Sequence, residues 1–149
     1  MTETWSVVML ISAGLFAAGV VSIAWERAPA WRAADPASFR VEFAHTLRRM
    51  DRLQPALLLV CLISSVGFAV SASGMARTVA GLAAACLVAV LVGSGAGLVP
   101  IQRRLVSIRD RGLNAADVER LRTRWLAGHL IRTAVALGAF ALLVVAAVA

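Results

Sequence analysis

Apolar residues gather in four long blocks, and polar residues gather between them. The first block covers residues 5–25 and holds no charge. The second covers residues 55–73 and the third residues 78–99. The fourth runs from residue 133 to the last residue and extends backward through residues 126–132. A bilayer core takes about 20 mostly apolar residues per helix. The first and third blocks reach that length alone. The second and fourth each continue an amphipathic helix on their N-terminal side. The pattern predicts an all-α fold: a four-helix transmembrane bundle with amphipathic helical extensions on the cytoplasmic side. It reads as one integral membrane domain over residues 1–149, with polar segments at 26–54 and 100–125. A cleaved signal peptide is the competing reading of the first block. Residues 1–4, Met-Thr-Glu-Thr, lack the basic stretch such a peptide needs, and the apolar run is too long.

Composition strengthens this picture. Of the 149 residues, 60% are hydrophobic and only 15% are charged. A soluble domain carries about a quarter charged residues. A soluble bundle would have nothing left to cover helices that are apolar all round.

Charge then orients the chain. It has fifteen Arg, no Lys and eight acids, for a formal charge of +7. Such a surplus could signal nucleic-acid binding, but the arginine positions point elsewhere. Six lie between residues 27 and 52 and eight between residues 103 and 132. Arg77 alone sits in the short link between the second and third helices. The excess of positive charge marks the cytoplasmic side. The expected location is therefore the inner (cytoplasmic) membrane, crossed several times, with both termini outside. The basic surplus becomes a collar facing anionic lipid headgroups, so membrane lipids are expected partners. Arg27, Arg32, Arg109, Arg111, Arg120 and Arg122 read as headgroup anchors. No DNA-binding motif or glycine-rich nucleotide loop accompanies them, and no nucleic-acid partner is expected.

The polar segments carry helix signals of their own. Asp35-Pro36 opens one helix, with Phe39, Phe43, Leu47 and Met50 on one face and Glu42, His45, Arg49 and Arg52 on another. Gln54-Pro55 marks a junction or kink where this helix meets the second block. Asn114 to Asp117 opens the other, which carries Val118, Leu121 and Trp125 into the bilayer. In the third block, Gly93 and Gly97 form a small-xxx-small pair. Close helix packing is the preferred reading, and space for a ligand or a bend before Pro100 is the other. Cys61 and Cys86 fall inside apolar blocks and read as packing thiols without a disulfide.

An up-down bundle brings four helix ends together at the inner face. Glu26 closes the first helix. His45, Arg48, Arg49, Asp51 and Gln54 precede the second. Gln102 follows the third. Trp125, His129 and Arg132 open the fourth at spacings i, i+4 and i+7, so they share one face. Both histidines of the chain lie in this layer. Polar groups at the edge of hydrocarbon tend to face a bundle interior or a cavity. His129 and Arg132, the deepest of them, are the first candidates for function.

The order of elements resembles the anthrone oxygenase-like family, small four-helix integral membrane proteins named for members that oxidise anthrones in polyketide pathways. The resemblance rests on Phe39 and Phe43, then Val99-Pro100-Ile101-Gln102 through Leu105, then Trp125, His129, Arg132 and Thr133. It spans most of the chain, from about Gly14 to Ala149. Gln102 stands where the family usually carries Asn and keeps its amide one methylene further out. The resemblance implies an oxidoreductase of monooxygenase type that oxidises an activated phenolic carbon with molecular oxygen and no organic cofactor. Such a site needs a base and cations for the oxyanion that results. His129 and His45 are the candidate bases, and Arg132, with Arg48 or Arg49, the candidate anion holders. Gln102 and Trp125 would orient a flat, apolar aromatic substrate that enters from the bilayer.

Two alternatives stay open. Glu26, His45 and His129 come from three helices at one level, and two His plus a carboxylate suit an iron, copper or zinc ion. The chain could also be a non-enzymatic scaffold, a lipid-binding subunit or a transporter protomer. Transport by so small a bundle would require a homo-oligomer.

Overall fold

The computed structural model describes residues 2–50, 53–107 and 112–149. Asp51, Arg52, Arg109, Asp110 and Arg111 lie outside the described residues. Four helical runs are long and apolar enough to cross a membrane: Thr2–Ala33, Leu53–Ser71, Gly74–Val106 and Ala115–Val148. The first comprises α1 (Thr2–Ser22), a π turn (Ile23–Arg27) and α2 (Ala28–Ala33). The amphipathic α3 (Pro36–Met50) leads to α4 (Leu53–Ser71). Then come α5 (Gly74–Gly93), a second π turn (Ser94–Leu98), α6 (Val99–Val106) and α7 (Ala115–Val148). Helix α1 packs on α4 and α7, and α5 packs on the same two, which closes a four-membered ring.

The expected caps are present. The Asp35 carboxylate accepts from the backbone N–H groups of Ala37 and Ser38. The Asn114 side chain accepts from the Asp117 N–H. Pro55 sits in the first turn of α4, where no N–H is required. The third membrane helix starts at Gly74, earlier than the apolar pattern predicts. Gly74 adopts a left-handed φ of 55° and turns the chain within two residues of α4. Arg77 is drawn back by its donors: its Nε donates to the carbonyls of Ala72 (2.9 Å) and Ala69 (3.2 Å). The one arginine at this end of the bundle thus caps the carbonyl end of α4.

Helix α7 has 34 residues. At 1.5 Å per residue it is roughly 50 Å long, against a hydrocarbon core of about 30 Å. The excess builds a second storey. In the membrane storey the core is lean in volume, with Ala80, Ala83, Ala136 and Ala139 between Phe16, Leu87 and Leu143. Small residues let membrane helices approach closely. Ile11, Leu15, Ile63, Leu82, Val92 and Ile131 stay exposed on the outside, as lipid contact requires. The second storey, at the arginine-rich end, has its own aromatic core of Trp31, Phe39, Phe43 and Trp125 with Ile23, Leu98 and Leu105.

The two π turns have one cause. Ala28 N–H bonds to Ile23 O, and Val99 N–H bonds to Ser94 O, each reaching back five residues. A proline, Pro29 or Pro100, follows directly. Proline offers no N–H and its ring repels the carbonyl four residues back, so a wider turn before it relieves the clash. The chain thereby consists of two similar halves. Each runs from a membrane helix through a π turn and a short proline-started helix to an Asx-capped amphipathic helix and a second membrane helix. The halves also cap each other. Arg122 of α7 donates to the carbonyls of Trp31 (2.8 Å) and Ala34 (2.6 Å) at the end of α2. Arg40 of α3 donates to those of Leu105 (2.9 Å) and Ser107 (3.3 Å) at the end of α6. Arg122 is buried, pairs with Glu119 and lies over the Phe39 ring. The headgroup role expected of Arg122 is corrected. Carbonyls at a buried helix end need a donor where water is excluded.

Candidate active site

Where the two storeys meet, α7 turns Trp125, His129 and Arg132 inward on one face. His129 is 1% exposed. Its Nε2 lies 3.0 Å from Val20 O, and its Nδ1 lies 2.9 Å from Nη2 of Arg132. A carbonyl only accepts and a guanidinium only donates. The ring therefore carries its proton on Nε2, and its one lone pair, on Nδ1, is taken by Arg132. Trp125 stacks on the imidazole with centroids 4.9 Å apart and planes 10° apart. Phe43 meets Trp125 edge-on at 4.9 Å, and Trp31 does so at 5.8 Å. The Phe39–Phe43 pair of the sequence pattern thus builds the wall that fixes Trp125.

A cavity of about 220 Å³ opens beside this face. Phe16, Leu58 and Leu91 give it apolar walls. Its polar lining is Gln54, Ser94, Gln102, Trp125 and Arg132. Among the described residues, five buried side-chain atoms have no hydrogen-bond partner. Four of them belong to this lining: Gln54 Oε1, Ser94 Oγ, Trp125 Nε1 and Arg132 Nε. An unsatisfied buried polar group costs about 1–3 kcal/mol. Four residues carrying such atoms border this one cavity.

Gln102, Trp125 and Arg132 line this cavity as their sequence positions suggest. The other candidates fall elsewhere. His45, Arg48 and Arg49 are exposed on α3. Glu26, His45 and Arg49 line a surface crevice of about 400 Å³ that shares only Ile23 and Met50 with the cavity. His45 and Arg49 thus lie outside the cavity. Their face of α3 turns outward while Phe39 and Phe43 turn in. The role of His129 as a standing base is corrected as well. Its lone pair holds Arg132, and the ring does not line the cavity. The metal set is not assembled. Glu26 pairs with Arg27 at 3.7 Å, and His129 has both nitrogens engaged in the interior. Among the described residues, no three His, Cys, Asp or Glu side chains are grouped to hold a metal ion. These residues do not fit an iron, copper or zinc centre.

Two residues escaped sequence selection. Gln54 was visible in the polar layer, yet nothing marked it among more strongly charged neighbours. Ser94 is a single hydroxyl between glycines in an apolar block, and the π turn places it. The glycines also act differently from the packing expected of them. A Cβ on Gly93, Gly95 or Gly97 would meet nothing within 4 Å. Gly95 borders the cavity, while Gly93 and Gly97 border a neighbouring cleft of about 370 Å³ between α5 and α7. Close approaches occur instead at Gly19, Gly67 and Gly128, and at Gly19 a Cβ would fall 1.8 Å from Gln54 Nε2.

A bundle of four membrane-capable helices, with an apolar cavity bordered by a few polar side chains at its arginine-rich end, defines a multi-pass membrane protein with a candidate ligand site. The chain belongs to the anthrone oxygenase family, which it matches over residues 43–142. That match supports an oxygenase-like role at the level of the family and contains Gln54, Ser94, Gln102, Trp125 and Arg132. No curated protein and no solved structure matches the chain.

Proposed function

We propose that this protein is a membrane-embedded oxygenase that oxidises a flat, apolar phenolic or anthrone-type substrate with molecular oxygen. One apolar cavity bordered by four residues that each hold an unpartnered buried polar atom carries the reading. Trp125 Nε1–H and Arg132 Nε–H are both donors. A substrate oxygen accepting from both is stabilised as it gains negative charge on loss of a ring proton. Preorganised donors in a water-poor site act most strongly on developing charge. Gln54 Oε1 accepts from a ring hydroxyl, and Ser94 and Gln102 complete the orientation. His129 acts through Arg132 and is a positioning residue. In the net reaction an anthrone methylene becomes a ketone. One oxygen atom enters the ring system, and the other leaves as water with the two methylene hydrogens. The reading extends to the cell: the arginine-rich end faces the cytoplasm, both termini face outward, and the substrate arrives through the bilayer.

Oxygen uptake by purified protein with an anthrone or a hydroquinone tests this. One mole of oxygen should be consumed per mole of anthrone. Arg132→Gln should lower kcat about 100-fold or more, the loss typical of a removed oxyanion donor. No uptake by the wild type with either substrate would overturn the oxygenase reading in favour of a binding protein. The proposed chemistry uses no metal, and elemental analysis of the same sample showing stoichiometric metal would overturn that part of it.

A further inference from the structure

The cavity has a basic mouth. Between α3 and α6 lies a depression of about 500 Å³ whose lining includes Leu47, Arg48, Val99, Gln102 and Arg103. Leu47, Val99 and Gln102 line both this depression and the buried cavity, so the two adjoin across the Gln102 side chain. Among the described residues, no acidic one lines the mouth. Among the described residues, the ion pairs formed are Arg27–Glu26, Arg120–Asp117 and Arg122–Glu119, and none involves Arg48 or Arg103. Elsewhere at this end of the bundle, three arginines serve the fold: Arg40 and Arg122 cap helices, and Arg132 holds His129. Arg48 and Arg103 come from different halves of the chain and line the same depression, which shares Gln102 with the cavity.

We propose that this mouth is an anion subsite. It binds a carboxylate or similar anionic group on an aromatic ligand whose rings occupy the cavity, with Arg48 and Arg103 as the cations and Gln102 at the junction. This rests on the reading of the cavity as a ligand site and adds a selectivity: a ring acid is preferred over its neutral counterpart. Guanidinium groups on carboxylates form charge-assisted, often bidentate hydrogen bonds, stronger than neutral ones. Arg48, assigned from sequence to the substrate's oxyanion, instead serves a charge at the substrate's outer end.

The shared chemistry is an anion, and a lipid phosphate could supply it as well as a ligand carboxylate. The test therefore uses two probes and two membranes. Full-length protein is placed in nanodiscs of zwitterionic lipid, or of the same lipid with a fraction of phosphatidylglycerol. Binding of a dihydroxyanthraquinone and of the same ring system bearing one carboxylate is followed by quenching of tryptophan fluorescence. In zwitterionic discs the carboxylate should bind about tenfold more tightly, the free-energy scale of a charged hydrogen bond. The preference should shrink with salt and fall to about one in an Arg48→Gln/Arg103→Gln double variant. Both residues are exposed, and an unchanged thermal midpoint will show that the variant folds. Equal Kd values in the wild type, or a preference that survives in the double variant, overturn the subsite. So does a double variant that changes only the response to phosphatidylglycerol, which assigns the arginines to headgroups. Failure of the neutral probe to bind, with no effect of Ser94→Leu on either probe, would overturn the cavity reading itself, and the subsite with it.

Discussion

His129 shows how far a single residue's role depends on what reaches it from elsewhere in the chain. Its spacing from Trp125 and Arg132 is plain in the sequence, and so is its depth. That it donates to Val20, 109 positions away, is not. This bond fixes the tautomer, and the tautomer turns a candidate base into the anchor of Arg132. His129→Ala should therefore lower kcat through a disordered Arg132 and also cost about 2–4 kcal/mol of stability. A denaturation midpoint that does not move would contradict the anchoring. Gly19→Ala separates position from stability. Its Cβ collides only with the flexible end of Gln54, so the side chain should swing from the cavity while the fold persists. Ligand affinity should drop severalfold with the melting temperature nearly unchanged. A crystal structure of the variant with Gln54 still in place would refute this.

Among the elements, the caps were legible and the clamps were not. Asx residues ahead of α3 and α7 announce helix starts because the cap lies within four residues of sequence. The serine and backbone hydrogen bonds around the Asp35 carboxyl hold it below its ordinary value of 3.8. A carboxyl lowered on folding stabilises at pH above its unfolded value and loses that contribution as pH falls through the folded value. The start of α3 should thus stay capped at neutral pH and loosen below about pH 4, faster in wild type than in Asp35→Asn. Amide exchange at Ala37 and Ser38 reads this directly. Arg122 spans 91 positions to Trp31, and local pattern contains nothing of that reach. Truncating it leaves two buried carbonyls without a donor, so Arg122→Ala should cost about 2–3 kcal/mol. An exposed arginine such as Arg104 should cost little. The π turns belong to the same scale. Pro100→Ala restores a donor for Ala96 O, which should draw the turn toward α geometry and carry Ser94 away from the cavity. Ligand affinity should then fall with helical content preserved, as measured by binding and circular dichroism together.

At the scale of the whole molecule, two similar halves make one ring of helices, and each half completes the other. The cavity draws Gln54 from the first half and Ser94, Gln102, Trp125 and Arg132 from the second. Truncation to either half should abolish ligand binding. Orientation is tested at this scale. A cysteine at Met75 should react with a membrane-impermeant thiol reagent added to intact cells, and one at Arg104 only after permeabilisation. The reverse pattern would invert the proposed topology.

Sequence alone determined the number of membrane helices and the end at which charge collects. These follow from hydrophobic run length and from the cost of charge in hydrocarbon, both properties of contiguous residues. It also placed Trp125 and Arg132 on one inward face, because helical periodicity is local. Only the tertiary structure decided which arginines are spent on carbonyls, which glycines leave space, and where polar atoms remain unpaired. Each of those is settled by a partner, or the lack of one, from a distant part of the chain. So His45 and Arg49 fell outside the cavity while Gln54 and Ser94 entered it.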